Sequence, residues 1–234
     1  MEVVAHSLRD VLRKHSESEL ALLKIDFSNA FNRVARQAFM RATDRVFPGL
    51  ANWTNWCYAQ KSFLLFDHRE QIESSCGVQQ GDPLAPLYFC LALTPIVEEI
   101  RKLGPIYQKW YMDDGGIVAP TPILLEVWRI PQEKGPALGL FLNPKKCEWS
   151  WLNSSNRADC PLKDVDLVPT DQICMLGVPL GSASFSASFI NERLFSRVKM
   201  AMERLKNLDD SQSALYLLRV YYSIERATHY MHGA

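Results

Sequence analysis

Asp113 and Asp114 stand side by side in "KWYMDDGGIVAP", between an aromatic-apolar stretch and a second apolar stretch that opens with two glycines. Neighbouring carboxylates that lose water repel each other and resist ionising unless a cation or a proton compensates them. A third acid, Asp26, ends the apolar run of "ELALLKIDF" and is followed by a small-residue turn and Phe31. An acid at a strand end beside a hairpin carrying two more has a specific use. Two divalent ions about 3.5–4 Å apart can be clamped between such carboxylates for in-line phosphoryl displacement. Magnesium suits the task, because it takes few protein carboxylates and keeps positions for substrate phosphates and water. In "GVQQGDPLAP", Gly81 permits close backbone approach to a planar base or base pair, and Gln80 offers both a donor and an acceptor. Each piece also has an ordinary reading. Adjacent Asp residues are mostly solvated loop acids, strand-end Asp residues commonly cap helices, and Asp82-Pro83 can simply open a helix.

The elements that must position these residues are readable from periodicity. Val4, Leu8, Val11 and Leu12 recur at helical spacing over residues 2–14, and "ELALLKIDF" reads as a buried strand ending at Asp26. Residues 34–47 and 50–60 read as two helices separated by Pro48-Gly49. "SFLLF" and "EQIESSCGV" form a hairpin around residues 67–69, and the Gln-Gln-Gly-Asp-Pro loop leads into a long helix over about 84–102. "IYQKWYM" and "GIVA" form the hairpin that holds the acid pair. A helix over about 121–137 follows, with Pro131 expected to kink it. "KCEWSW" and "ICMLGVPL" read as strands, and two helical patterns over about 187–231 meet at Asp209-Asp210-Ser211, an N-cap signal.

With 234 residues, 47% hydrophobic and 22% charged, the chain can build one large domain or a domain with an appendage. Lys+Arg equals Asp+Glu at 26 each, so any nucleic-acid role rests on local clusters rather than a global field. The six cysteines show no C-x-x-C pair and no zinc spacing, which predicts reduced core thiols. The N-terminus lacks a signal-peptide core. The longest apolar stretch, residues 84–97, is short for a bilayer and contains Pro86 and Pro95. An intracellular chain with no membrane partner is expected.

Order joins the pieces. Asp26 in D-F-S-N-A-F, then Q-G-D-P-L-A-P, Y-M-D-D, "LGLFLNPKKCEW" and "MLGVPLG" occur in one direction at domain-sized intervals. This resembles the palm of reverse transcriptases, most closely those of retrotransposons lacking long terminal repeats (LINE-type), over about residues 15–181. The resemblance implies an α+β fold: a polymerase palm, an antiparallel sheet packed on helices, over 1–181 with a remnant of the fingers. A helical start of the thumb follows over 182–234. Because only 25 residues precede Asp26, the fingers are expected to be largely missing.

Carried over by residue, the resemblance implies that Asp26 and Asp113 ligate two Mg²⁺ ions, with Mn²⁺ as the alternative metal. The carbonyl of Phe27 is a further ligand and Asp114 is the neighbouring acid that shapes the site. Phe31 resembles the aromatic gate that disfavours a ribose 2′-hydroxyl, and Gln80 and Gly81 line the nascent base-pair pocket. Lys146 resembles the lysine that protonates departing pyrophosphate, with Lys145 as the alternative. Leu176 and Gly177 belong to the hairpin that grips the primer. Arg193, Arg197, Lys199, Arg204 and Lys206 stand against Glu192 and Glu203 over 182–208, a balance of five to two that suits the phosphates of a template–primer duplex. A plain amphipathic helix with a charged outer face explains the same pattern.

The implied activity is RNA-directed DNA polymerisation with an RNA template, a DNA primer and dNTPs, within a longer retroelement polyprotein. A catalytically inactive remnant that binds nucleic acid or a partner is the second reading, favoured by the missing fingers and short thumb. RNA-directed RNA polymerase is the third, and Phe31 and Y-M-D-D argue against it. Ala85, Asn29 and Asn32 depart from residues common in the family, but the implied metal ligands are intact.

Overall fold

A computed structural model describes residues 2–66, 70–153 and 159–221, so the turn expected at 67–69, and His229 and His232 near the end of the chain, lie outside the described residues. The chain gathers into two units: residues 20–149 with 158–166, and residues 1–19, 150–157 and 167–234.

The first of these holds the acids. Strands β1 (Ala21–Ile25), β4 (Tyr107–Tyr111), β5 (Asp114–Ala119), β6 (Glu148–Trp151) and β7 (Asp166–Leu167) form a sheet in the order β4-β5-β1-β6-β7, of which β1, β4 and β5 lie wholly within this unit. Pairing of β1 with β5 and of β4 with β5 is antiparallel. β1 is almost wholly buried, as its apolar run, broken only by Lys24, predicts. Between β1 and β4 come α2 (Ala30–Arg33), α3 (Arg36–Val46), α4 (Ala51–Tyr58), the isolated hairpin β2 (Ser62–Phe66) and β3 (Glu70–Ser74), and α5 (Ala85–Lys102). Phe39 of α3 packs edge-on to Tyr58 of α4 at 5.1 Å and stacks on Tyr88 of α5 at 5.3 Å. α5 buries Tyr88, Phe89, Ala92, Leu93, Ile96 and Ile100 along one stripe. Cys90 sits on its opposite face and is exposed. Of the six free cysteines only Cys147 is buried, so the expectation of core thiols holds for that residue alone.

α6 (Thr121–Lys134) runs through Pro131 without a break, and the Pro131 carbonyl accepts from Gly135 N–H. Pro131 lies in the last turn, where the ring removes one helical bond and the chain then tightens into a 3₁₀ turn at Pro136–Leu138. The segment expected as a single helix to 137 is therefore split in two.

The second unit contains α1 (Glu2–Lys14), which buries Ala5, Leu8 and Leu12, and whose Arg9 guanidinium donates to the Pro179 carbonyl at 3.4 Å. "ICMLGVPL" is not one strand but a tight hairpin, β8 (Cys174–Met175) and β9 (Val178–Pro179). Its two loop residues, Leu176 and Gly177, both have positive φ (53° and 78°), the backbone twist that two-residue hairpins require. The helical tail begins earlier than its apolar pattern suggests, because the Ser182 hydroxyl caps α7 (Ala183–Ile190) by accepting from Phe185 N–H. A π-helical turn at Asn191–Phe195 leads into α8 (Ser196–Lys206). Asp210 then caps α9 (Ser211–Tyr221) through bonds from Gln212 and Ser213 N–H.

Candidate active site

The β-register brings the three acids together. Ile25 pairs with Gly115, so one step further along the chain sets Asp26 opposite Asp114. β4 and β5 close at the pair Tyr111–Asp114, leaving Met112 and Asp113 as the two-residue loop at the tip. Met112 takes the positive φ (54°) that this loop demands of a non-glycine residue, so Asp114 is the first strand residue rather than part of the bend. Cross-strand pairing alternates faces, which puts Lys24, Asp26 and Asp114 on one side of the sheet. The other side carries Ile25 and Trp110, and the Trp110 ring lies where a Cβ on Gly115 would fall, 2.5 Å from its nearest atom. The first glycine of the Gly115-Gly116 pair is thus explained by aromatic packing. Trp110 also stacks with buried Phe27, 6.4 Å between ring centres.

Phe27 forms an isolated antiparallel bridge with Leu142, flanked by Asn143 N–H donating to the Asp26 carbonyl (2.9 Å) and Ser28 N–H donating to the Phe141 carbonyl (2.7 Å). In that pattern the bonds on this side belong to residues 26 and 28, and the Phe27 carbonyl points to the opposite edge of the strand. That edge is the one β5 occupies. The Asp26 amide N–H is held by the buried Cys147 thiol at 3.3 Å, and burial pushes that thiol up to about 11.

All three acids are half-buried. Burial is the largest influence raising the Asp26 carboxyl above its usual range, and the Asp113 charge adds to it. Lys146, an Asn143 hydrogen bond and Lys24 act in the opposite direction. Asp114 is pushed up to about 6, first by burial and then by Asp113 and Asp26, against Lys24 and Lys146. Asp26 Oδ1 is buried with no hydrogen-bond partner. A buried acceptor in a cluster of mutually repelling carboxylates is the chemistry that a cation satisfies. Among the described residues, no group of three or more His, Cys, Asp or Glu side chains is gathered closely enough to hold a metal alone. Mg²⁺ asks for only one or two protein carboxylates and completes its shell with water and phosphate, so the acids present are compatible with it.

Lys24 is a charged residue in an otherwise buried apolar strand, held by Glu148 across the sheet at 2.8 Å. That misfit is the sequence signal that marks it. Asn143 and Cys147 had no such signal. Of the two exposed lysines in the 3₁₀ turn Pro144–Lys146, Lys146 is the one whose charge acts on both Asp26 and Asp114.

The Gln80 loop lies in the same unit. Val78 N–H donates to the Phe31 carbonyl (2.8 Å) and Gly77 N–H to the Val34 carbonyl (2.9 Å), which ties the loop to α2. Gln79, Gln80 and Gly81 face outward. Phe31 is half-buried and stacks on Phe89 of α5, 4.5 Å between centres and 12° between planes. Asp82 does not cap α5 as expected. The helix starts at Ala85, and the Asp82 carboxylate accepts from Leu84 N–H (2.8 Å) one turn earlier, with Pro86 rather than Pro83 in the first helical turn. Leu176, Gly177, Arg193 and Lys199 belong to the other unit; Arg193 and Lys199 are exposed, and the Arg193 guanidinium lies over the Phe189 ring at 4.7 Å. The Arg197 side chain lies outside the described residues.

Comparison with known proteins gives this arrangement its family. The family described as "Reverse transcriptase (RNA-dependent DNA polymerase)" matches residues 3–180. The SLACS retrotransposable element 132 kDa protein of Trypanosoma brucei gambiense is 27% identical over 144 residues, covering 58% of this chain and 12% of that protein. Telomerase from Candida albicans, solved with a TWJ fragment of telomeric RNA, superposes with a TM-score of 0.57 at 16% identity, over 79% of this chain and 33% of that one. Apo telomerase from Candida tropicalis truncated from its C-terminal domain gives 0.55 at 13% identity, over 75% and 37%. The chain thus spans about a third of the telomerase chains and a far smaller share of the retrotransposon protein. The telomerase likeness speaks for the fold, the α+β polymerase palm expected from the motifs. Among the described residues no helix is long and apolar enough to cross a membrane. With the family match covering most of its length, this chain belongs to the reverse transcriptase family, in a form akin to that of retrotransposons lacking long terminal repeats.

Proposed function

We propose that the chain carries the catalytic palm of an RNA-directed DNA polymerase that extends a DNA primer on an RNA template with dNTPs. The observation that carries this reading is the register setting Asp26 against the Met112-Asp113 tip, with Asp26 Oδ1 buried and without a partner. Asp26, Asp113 and the Phe27 carbonyl would hold two Mg²⁺ ions, or Mn²⁺ in their place. Bound there, the ions supply charge neutralisation to the attacking and leaving oxygens of the phosphoryl transfer. The primer 3′-hydroxyl oxygen forms a bond to the α-phosphorus and loses its proton to water, the bond to the bridging oxygen breaks, and pyrophosphate departs. Lys146, whose charge already acts on this cluster, delivers a proton to pyrophosphate. Asp114 keeps the field around Asp113 negative. The chain's work is positioning and electrostatics.

Phe31 acts as the gate against a 2′-hydroxyl, a role supported by its stacking on Phe89, and Gln80 and Gly81 line the nascent base pair, a role supported by their exposure. Residues 1–181 act as the palm with a remnant of the fingers, and 182–234 begin the thumb. The Leu176-Gly177 hairpin at the end of the palm grips the primer, and Arg193, Arg197 and Lys199 of the thumb follow duplex phosphates. The remaining domains of a retroelement polyprotein complete the enzyme. Primer extension with an RNA template, dNTPs and Mg²⁺ tests this. Wild type extends and Asp113→Ala does not; equal extension by both refutes the assignment. Salt-sensitive duplex binding without extension by wild type identifies a silent remnant instead.

A further inference from the structure

The loop that offers Gln80 and Gly81 is fastened from behind by one buried hydroxyl. Tyr58, at the end of α4, is 2% exposed. Its O–H donates to Asp82 Oδ2 at 2.5 Å, and its oxygen accepts from Gln79 N–H at 3.1 Å. Asp82 Oδ1 accepts in turn from Leu84 N–H at 2.8 Å, and Asp82 N–H donates to the Gln79 carbonyl at 3.2 Å. The residues on either side of Gln80 and Gly81 are therefore tied to a single point, while those two residues themselves face outward.

Gly81 shows why such a tie is needed. Its φ is +93°, a conformation that few other residues adopt and that glycine leaves readily. A Cβ built on it would meet no described atom within 4 Å, so the surface above it is open to a ligand. Two residues with no packing of their own hold one shape only if their flanks are fixed. Tyr58 is itself fixed: its ring lies edge-on to Phe39 (5.1 Å) and Tyr88 (5.5 Å), and the Arg36 guanidinium sits 5.5 Å above it. Arg36 also donates to the Gly77 carbonyl at 3.2 Å, the entry to the same loop.

We propose that Tyr58 is a positioning residue, whose hydroxyl clamps Gln79 to Asp82 and thereby sets the surface that meets the incoming nucleotide's base pair. The role rests on the polymerase reading of Gln80 and Gly81; the clamp itself does not. Tyr58→Phe removes the oxygen and keeps the ring. Thr54→Val is the matched control, since Thr54 Oγ1 bonds Tyr88 Oη (3.0 Å) and the Leu50 carbonyl in the same core without touching the loop.

Amide exchange is measured in the full, unliganded chain, and primer extension on an RNA template is followed as a function of dNTP concentration. A lost buried hydrogen bond is worth roughly a factor of five to ten in a local equilibrium. Tyr58→Phe is expected to speed exchange over residues 79–84 about tenfold and to raise KM for dNTP about tenfold with kcat changed less than twofold. Thr54→Val, at similar urea stability, changes neither. Unaltered exchange in Tyr58→Phe overturns the clamp. Faster exchange with unaltered KM, or an equal rise of KM in Thr54→Val, overturns its role in nucleotide placement. A wild type that cannot extend a primer refutes the polymerase reading and that role with it, while exchange still decides the clamp.

Discussion

Asp114→Asn should stabilise the metal-free chain at neutral pH, against the usual expectation for a change at a half-buried position. Burial and the charges of Asp113 and Asp26 push the Asp114 carboxyl up to about 6 from an ordinary 3.8. A carboxyl raised in this way binds its proton more tightly when folded than when unfolded. The penalty is therefore absent below pH 3.8, grows as pH rises towards 6, and is complete above it. At about 1.4 kcal/mol per pH unit the unscreened value is about 3 kcal/mol. Asp114 keeps part of its hydration, and screening leaves about 1 kcal/mol. For a chain of this size that is about 2–4 °C in Tm. The assay is thermal and urea unfolding in EDTA at pH 7.5 and pH 4.5, with wild type and Asp114→Asn side by side. The variant should gain stability at pH 7.5 and lose most of that gain at pH 4.5. Adding Mg²⁺ at pH 7.5 should raise wild type more than Asp113→Asn, because a cation relieves the same repulsion. A gain equal at both pH values, or a loss at pH 7.5, refutes the electrostatic account of this cluster.

Replacing Phe31 with Val should let ribonucleotides into the extension product, read as the ratio of dNTP to NTP incorporation on one template; an unchanged ratio removes Phe31 from sugar selection. Arg36→Met should cost about 3 kcal/mol in urea unfolding, because the buried guanidinium serves the Gly77 and Gln60 carbonyls and Ser74 Oγ, and all three lose their donor. Gly139→Ala should be destabilising by more than about 2 kcal/mol. Its φ is +72°, and the added Cβ would lie 2.2 Å from the Arg33 carbonyl oxygen. A stability within 0.5 kcal/mol of wild type, about the scatter expected of a neutral surface change, would show that the loop simply moves aside.

What could be read from the sequence follows the range of the interactions that decide it. β1, β5, α5 and the Asp210 cap were legible because alternation, apolar stripes and caps act over a few residues, and the structure keeps them within a residue or two. Leu176 was not, since no propensity favours a leucine at φ 53°; the two-residue loop imposes it once β8 and β9 pair. The meeting of Asp26 with the Asp113 tip has no local signature either. It was expected only because ordered motifs resembled a known palm, and the β1–β5 register supplies its physical cause. The supports behind the site escaped both routes. Cys147 reaches the Asp26 amide across 121 positions, and Tyr58 reaches Asp82 across 24. Each presents an unremarkable residue type at an unremarkable place in the chain. Lys24 differs from them. A lysine inside a buried strand is improbable unless it has a partner, and Glu148 together with the acids on its face gives it several. A charge at the wrong position in an apolar run is thus as informative about a site as the acids themselves, because burial makes it unstable anywhere else.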